Sequence, residues 1–170
     1  MIKIVTPITK ELINQLSVGD MITISGFIYT GRDAVLPKIV DLIKLGDFSK
    51  YDINLKGSVI FHTAVSPAGV GPTSSNKFEI ESSIPELSKA GVKIHLGKGE
   101  LSQETIAALN KYNSVYAIIP PVTALLNSKT LSRKVVAFPE FGMEAYHLLE
   151  IKDYPAIIAA AHGKSIYDGK

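Results

Sequence analysis

Three stretches hold side chains whose types and spacing could bind or act on a small anion. The first is Gly71-Pro72-Thr73-Ser74-Ser75-Asn76-Lys77-Phe78-Glu79, which gathers hydroxyls and one cation at a turn. Thr73, Ser74 and Ser75 are all good N-caps for a following helix, and a helix N-terminus offers free N–H groups and partial positive charge. With Lys77 in the first turn, this describes a site for a carboxylate or phosphate; the plainer alternative is an ordinary capped loop. The second is Gly31-Arg32-Asp33-Ala34, with one of only two arginines in the chain. A guanidinium grips a carboxylate through two parallel hydrogen bonds, although an Arg32–Asp33 surface pair would also account for it. The third is Gly97-Lys98-Gly99, where flanking glycines let backbone and ammonium approach an anion, or simply make a turn with a solvated lysine. It is no Walker motif, because the spaced glycine and the hydroxyl after the lysine are missing.

The elements around these stretches can be read from periodicity. Met21 to Thr30 begins with apolar and small polar residues alternating, the pattern of a half-buried strand, and delivers Arg32 at its end. A helical pattern follows through Leu36, Ile39, Val40, Leu42 and Ile43, with Gly46 as its C-cap. Leu55 to Ala64 reads as a second strand leading into the Thr73 stretch, and Ala68 to Pro72 reads as a break that no regular strand or helix would run through. His62, near the end of that strand, is either a general acid or base or a hydrogen-bonded core residue.

Further on, Glu81 to Ala90 suggests a helix, Val92 to Leu96 a strand, Ser102 to Tyr112 a helix and Val115 to Ile119 a strand ended by prolines. A short helix is expected from Val122 to Leu126. Lys129 to Lys134 reads as a polar link with a solvent-exposed Arg133, Val135 to Phe138 as a strand, and Leu148 to Ile151 and Pro155 to Ala161 as separate extended pieces. Strands that alternate with helices imply an α/β layered sheet with loops gathered at strand ends. Three of those loops carry a cation, Arg32, Lys77 and Lys98, an arrangement by which such sheets bind small anions.

Composition narrows the classes. At 170 residues the chain fits a single domain, 1–170, able to bury a core without staples. A net charge of +2, with no lysine-rich block, argues against nucleic acid. No apolar run is long enough for a membrane span, and the N-terminus is broken by Pro7 too early for a signal peptide, so a cytoplasmic protein is expected. The absence of cysteine removes thiol catalysis and cysteine-held clusters from this chain. The histidines, His62, His95, His147 and His162, have no i, i+4 pair, so no metal site is expected on this chain alone.

Taken together, Ser25-Gly26, Thr30-Gly31-Arg32-Asp33-Ala34, Gly71-Pro72-Thr73-Ser74, Gly97-Lys98-Gly99 with Ser102-Gln103, and Pro139-Glu140-Phe141-Gly142-Met143-Glu144-Ala145 form a specific set. On these residues the chain resembles the C-terminal domain, or separate β subunit, of the iron–sulfur hydro-lyases, class I fumarate hydratase and L-tartrate dehydratase. The resemblance runs from about Gly19 to Tyr167. It implies a layered swivelling β/β/α domain, fumarase C-terminal-domain-like, and a [4Fe–4S] cluster held on three cysteines of a separate domain or α subunit.

By position in the family motifs, the resemblance implies that Arg32, Thr73, Ser74, Lys77 and Lys98 bind the substrate. Thr73 would be the proton-transfer group, with Lys98 or Arg32 close by to stabilise its alkoxide. The implied partners are the cluster-bearing α subunit and a C4 dicarboxylate, in a homo-oligomer of heterodimers.

This sequence departs from the family pattern at three places: Lys77 where arginine is usual, Ala34-Val35-Leu36 without the family's histidine, and Ile119-Pro120-Pro121-Val122-Thr123 in place of a small Gly-Gly-Pro-Ala segment. The expected function is the β half of a hydro-lyase, with fumarate/malate favoured over tartrate. The alternative is a non-catalytic anion-binding or regulatory paralogue of the same fold.

Overall fold

The computed structural model describes residues 1–67, 69–73, 77–120 and 122–169, and the side chains of all of these except 71–73 and 77–80. In chain order the elements are β1 (Ile2–Val5), α1 (Lys10–Gln15), β2 (Met21–Thr30), α2 (Leu36–Leu45), β3 (Val59–Phe61), β4 (Thr63–Ser66), β5 (Gly69–Thr73) and α3 (Lys77–Lys89). There follow β6 (Ile94–Gly97), α4 (Gln103–Lys111), β7 (Val115–Ile118), α5 (Thr123–Ser128), β8 (Thr130–Ala137), a 3-10 segment (Pro139–Glu144), β9 (Tyr146–Ala161) and β10 (Lys164–Ser165). The molecule is mixed α/β, with β4 and β5 forming a small hairpin apart from the main sheet.

Strands β2, β3, β6 and β7 run parallel in that order. The long β9 lies antiparallel to β2 and also to β7, so the pairings close into a ring. Alternation along each strand then separates two environments. Ile22, Ile24 and Ile28 of β2, Val59 and Phe61 of β3, Ile94 and Leu96 of β6, Val115 and Ala117 of β7, and Leu149, Ile151, Tyr154 and Ile158 of β9 form one buried cluster. Residues of the opposite parity face the helices. Tyr29 and Ile60 pack with Val35, Leu36 and Ile39 of the α2 region and Leu87 of α3. Tyr116 packs with Ile84 of α3 and with Ile106 and Leu109 of α4.

Helix α2 ends as its sequence requires, with Gly46 in the left-handed region at φ 69 and its N–H returned to Ile43 and Leu42. Ser102 caps α4 by accepting from Thr105 N, and Glu81 of α3 accepts from Ser102 N at 2.8 Å and from Thr105 Oγ1 at 2.6 Å. The Ser102-Gln103 part of the family signature is therefore a helix start tied to its neighbour. Ser25-Gly26 is also structural: the register between β2 and β9 shifts there, and Ser25 Oγ accepts from Asp153 N at 2.9 Å, where Asp153 has φ 55.

Several expectations need correction. Residues Gly69–Thr73 form a strand despite two glycines and Pro72, because among the described residues β5 pairs with β4 alone and a proline is tolerated where no ladder donor is missed. Helix α3 starts at Lys77, a turn before Glu81. The supposed polar link Lys129 to Lys134 belongs mostly to β8, and Leu148 to Ile151 and Pro155 to Ala161 are parts of one strand, β9.

Candidate functional site

Because β2, β3, β6 and β7 are parallel, everything that follows them in sequence emerges at one edge of the sheet. Arg32 comes just after β2, His62 and Thr63 just after β3, Lys98 just after β6, and Ile119 just after β7. Backbone bonds hold these ends level: Gly31 N donates to Phe61 O at 3.1 Å, His62 N to Leu96 O at 3.0 Å, and Ile119 N to Gly97 O at 3.1 Å. In the hairpin, Thr73 is the register partner of Thr63, which brings its backbone to the same edge. Helix α3 returns through Gly91 to the start of β6, so its first residue, Lys77, is at this edge as well.

The structure thus gathers the backbones of Arg32, Thr73, Lys77 and Lys98. The strand ends that lead to Arg32 and Lys98 are two strand spacings, about 10 Å, apart. Ser74 lies outside the described residues, as do the side chains of Thr73 and Lys77. The Thr73-to-Ser75 N-cap expectation falls partly there; Thr73 itself is in β5.

Arg32 is partly buried and pairs with Glu144 across the edge, Nη2 to Oε2 at 3.2 Å. Glu144 belongs to the Pro139 to Ala145 motif, for which the sequence alone suggested no role. The guanidinium hydrogen bond holds the Glu144 carboxyl below the usual carboxylate range. Gly31 is needed for close packing, since a Cβ there would lie 2.8 Å from Leu36 Cδ2. Lys98 is exposed, and its turn is fixed from below: Tyr116 OH donates to Gly99 O at 3.2 Å, with Gly99 at φ 85. Arg133 is exposed, as expected, and also donates to the carbonyls of Ser66 and Pro67, pinning the hairpin that carries Thr73.

Beneath this edge lies a buried polar chain. His62 is 1% exposed and His95 0%. His62 Nε2 lies 3.0 Å from His95 Nδ1, and His95 Nε2 lies 2.9 Å from Ser88 Oγ in the last turn of α3. Burial pushes the His62 imidazole down to about 3 and takes His95 well below its ordinary range, so both rings are neutral. Of the two readings of His62, a hydrogen-bonded core residue is what the structure shows. Its partners were illegible in the sequence, since only the parity of β3 and β6 puts both rings on the helix-facing side.

The family model described as Fumarase C-terminus matches residues 1–169. The chain belongs to that family. This fumarase C-terminal chain is 30% identical over 176 residues to a putative L(+)-tartrate dehydratase subunit beta of Methanocaldococcus jannaschii, covering 95% of this chain and 88% of that one. It is 28% identical to the L(+)-tartrate dehydratase subunit beta of Escherichia coli, covering 95% and 84%. Against a putative fumarate hydratase class I of Geobacillus stearothermophilus the identity is 31%, covering 95% of this chain and 32% of the relative. The fumarase C-terminal chain spans most of the β subunits but only about a third of the fumarate hydratases. These relatives carry hydro-lyase names. Among the described residues, no helix is long and apolar enough to cross a membrane.

Proposed function

We propose that this chain is the β half of a [4Fe–4S]-dependent hydro-lyase that interconverts a C4 hydroxy-dicarboxylate and its unsaturated diacid, with fumarate/malate favoured over tartrate. The observation that carries the reading is the arrival of Arg32, Thr73 and Lys98 at one sheet edge in a chain of this family. The strand ends that carry the two cations lie about 10 Å apart, close enough for both side chains to reach the carboxylates of a short diacid, and Thr73, the register partner of Thr63 after the intervening β3, suits proton transfer at the carbon chain. Ser74 and Lys77 complete the proposed binding set. Residues 1–170 act as one domain of the swivelling β/β/α kind, in the cytoplasm.

The cluster itself does not fit this chain. It has no cysteine, and among the described residues no group of three His, Cys, Asp or Glu side chains could hold a metal. The cluster is then held by a partner α subunit, paired with this chain in a dimer of heterodimers. What this chain supplies is grip and proton handling: Arg32 and Lys98 hold carboxylates, and their charge lowers the cost of an alkoxide on Thr73.

Anaerobic reconstitution with a cluster-bearing partner tests the proposal. Fumarate hydration should be fast in the complex and fall at least 100-fold in Arg32→Ala and Thr73→Ala. A complex that forms and hydrates fumarate equally well with either variant would sink the site assignment. The regulatory alternative is favoured by Lys77 and Leu36 standing where the family pattern differs. It predicts that the complex binds diacid without turnover.

A further inference from the structure

The Ser88, His95 and His62 chain can exist in only two arrangements, because each neutral ring carries one N–H and each contact needs one hydrogen. If His62 Nε2 carries the hydrogen, His95 Nδ1 accepts it, His95 Nε2–H must donate to Ser88 Oγ, and His62 Nδ1 is bare. In the other arrangement Ser88 O–H donates to His95 Nε2, His95 Nδ1–H donates to His62 Nε2, and His62 Nδ1 carries a hydrogen. The position of every proton in the chain follows from one of them.

Ser88 decides between the two. It is 2% exposed, and among the described residues its hydroxyl has no partner but His95. In the first arrangement the serine hydrogen is stranded; in the second it is used. The first arrangement leaves two buried groups stranded, the serine hydrogen and the bare His62 Nδ1, and the second only one, so the second arrangement is the resting one. The remaining stranded group is at the far end, where His62 Nδ1 is buried and, among the described residues, has no hydrogen-bond partner.

That far end is at the site edge. His62 is the last residue held to β6 by a backbone bond, and its neighbour Thr63 pairs with Thr73. The two ring nitrogens point apart, so the bond from Nε2 to His95 directs Nδ1 away from the chain. His62 follows β3, which lies between β2 and β6, the strands that lead to Arg32 and Lys98, and a donor without a partner at that end calls for an oxygen acceptor of negative charge.

We propose that His62 Nδ1–H is a neutral hydrogen-bond donor to a carboxylate of the ligand at this edge, with its direction enforced by Ser88 through His95. This rests on the diacid-binding reading above and adds to it a specificity device: an uncharged donor rewards an acceptor oxygen and rejects a ligand that presents a donor there.

The test uses the full chain with imidazole nitrogens labelled with 15N, titrated with fumarate, and binding followed in parallel by calorimetry. Protonated and bare ring nitrogens are distinct in such spectra. The expected result is Nδ1 protonated and Nε2 bare on both rings, with the His62 Nδ1–H signal moving as fumarate binds. Ser88→Ala should retain the fold, show a mixture of tautomers at both rings and bind fumarate about threefold more weakly; His62→Phe should bind about tenfold more weakly.

Fumarate binding that depends on Arg32 but leaves the His62 signal unmoved, or a His62 that is protonated at Nε2, overturns the donor while the diacid reading stands. Absence of fumarate binding by the chain and by its reconstituted complex overturns both.

Discussion

Arg32 Nη2 and Glu144 Oε2 stand 3.2 Å apart and join segments 112 residues distant in sequence. The contact fixes a long, rotatable side chain at the sheet edge by a carboxylate on the 3-10 segment. Glu144→Gln should therefore leave stability within about 1 kcal/mol, as partly exposed pairs do. In the reconstituted complex kcat/KM should drop about tenfold, mostly through KM, because a loosened guanidinium loses carboxylate affinity before anything else. Equal KM in wild type and variant would show that Glu144 does not orient Arg32.

Lys98 separates binding from folding. It is exposed in a turn whose shape is set by Gly99 and Tyr116, so Lys98→Ala should change stability by less than about 0.5 kcal/mol. Diacid affinity should fall about tenfold or more, a loss that rising salt diminishes in the wild type. Calorimetry at two ionic strengths decides this, and salt-independent binding would count against a charge contact.

The histidine pair gives stability a pH dependence of known sign. His62 and His95 are neutral in the folded state because burial lowers them, whereas in the unfolded chain they titrate near 6.5. Below that value the unfolded state takes up protons that the native state refuses. Their contribution is thus fully present above about pH 6.5 and is lost as pH falls toward 3, with a slope of about 1.4 kcal/mol per pH unit for each histidine. Urea unfolding between pH 7 and 4 should show the slope, and His62→Phe should make it shallower.

Ser25 ties β2 to β9 where both strands are irregular. Ser25→Ala removes the acceptor of Asp153 N, and the expected loss is about 1–2 kcal/mol in chemical unfolding, with little effect on diacid binding. A variant as stable as the wild type would mean that the backbone holds this level unaided.

Much of this was legible in the sequence where local rules and burial agree. Strand β2, helix α2 with its Gly46 cap and helix α4 with its Ser102 cap follow from alternation and capping, and the edge position of Arg32 and Lys98 follows from their strand-to-helix junctions. Strand β8 was hidden because its residues are exposed on both faces, leaving no alternation to read. Strand β9 looked like two pieces because Lys152, Asp153 and Pro155 interrupt its apolar pattern, at the point where Asp153 takes a left-handed conformation. Glu144 and the Ser88, His95 and His62 chain depend on segments far apart in sequence, which no local pattern reports.

Since β9 must pair with both β2 and β7, the barrel-like core has no finished wall until residues 146–161 exist. During synthesis, the residues before Tyr146 leave the ribosome with the inner faces of β2 and β7 still wet, and docking of β9 should coincide with the main folding event. Nascent chains truncated before Tyr146 ought to be the species that chaperones hold.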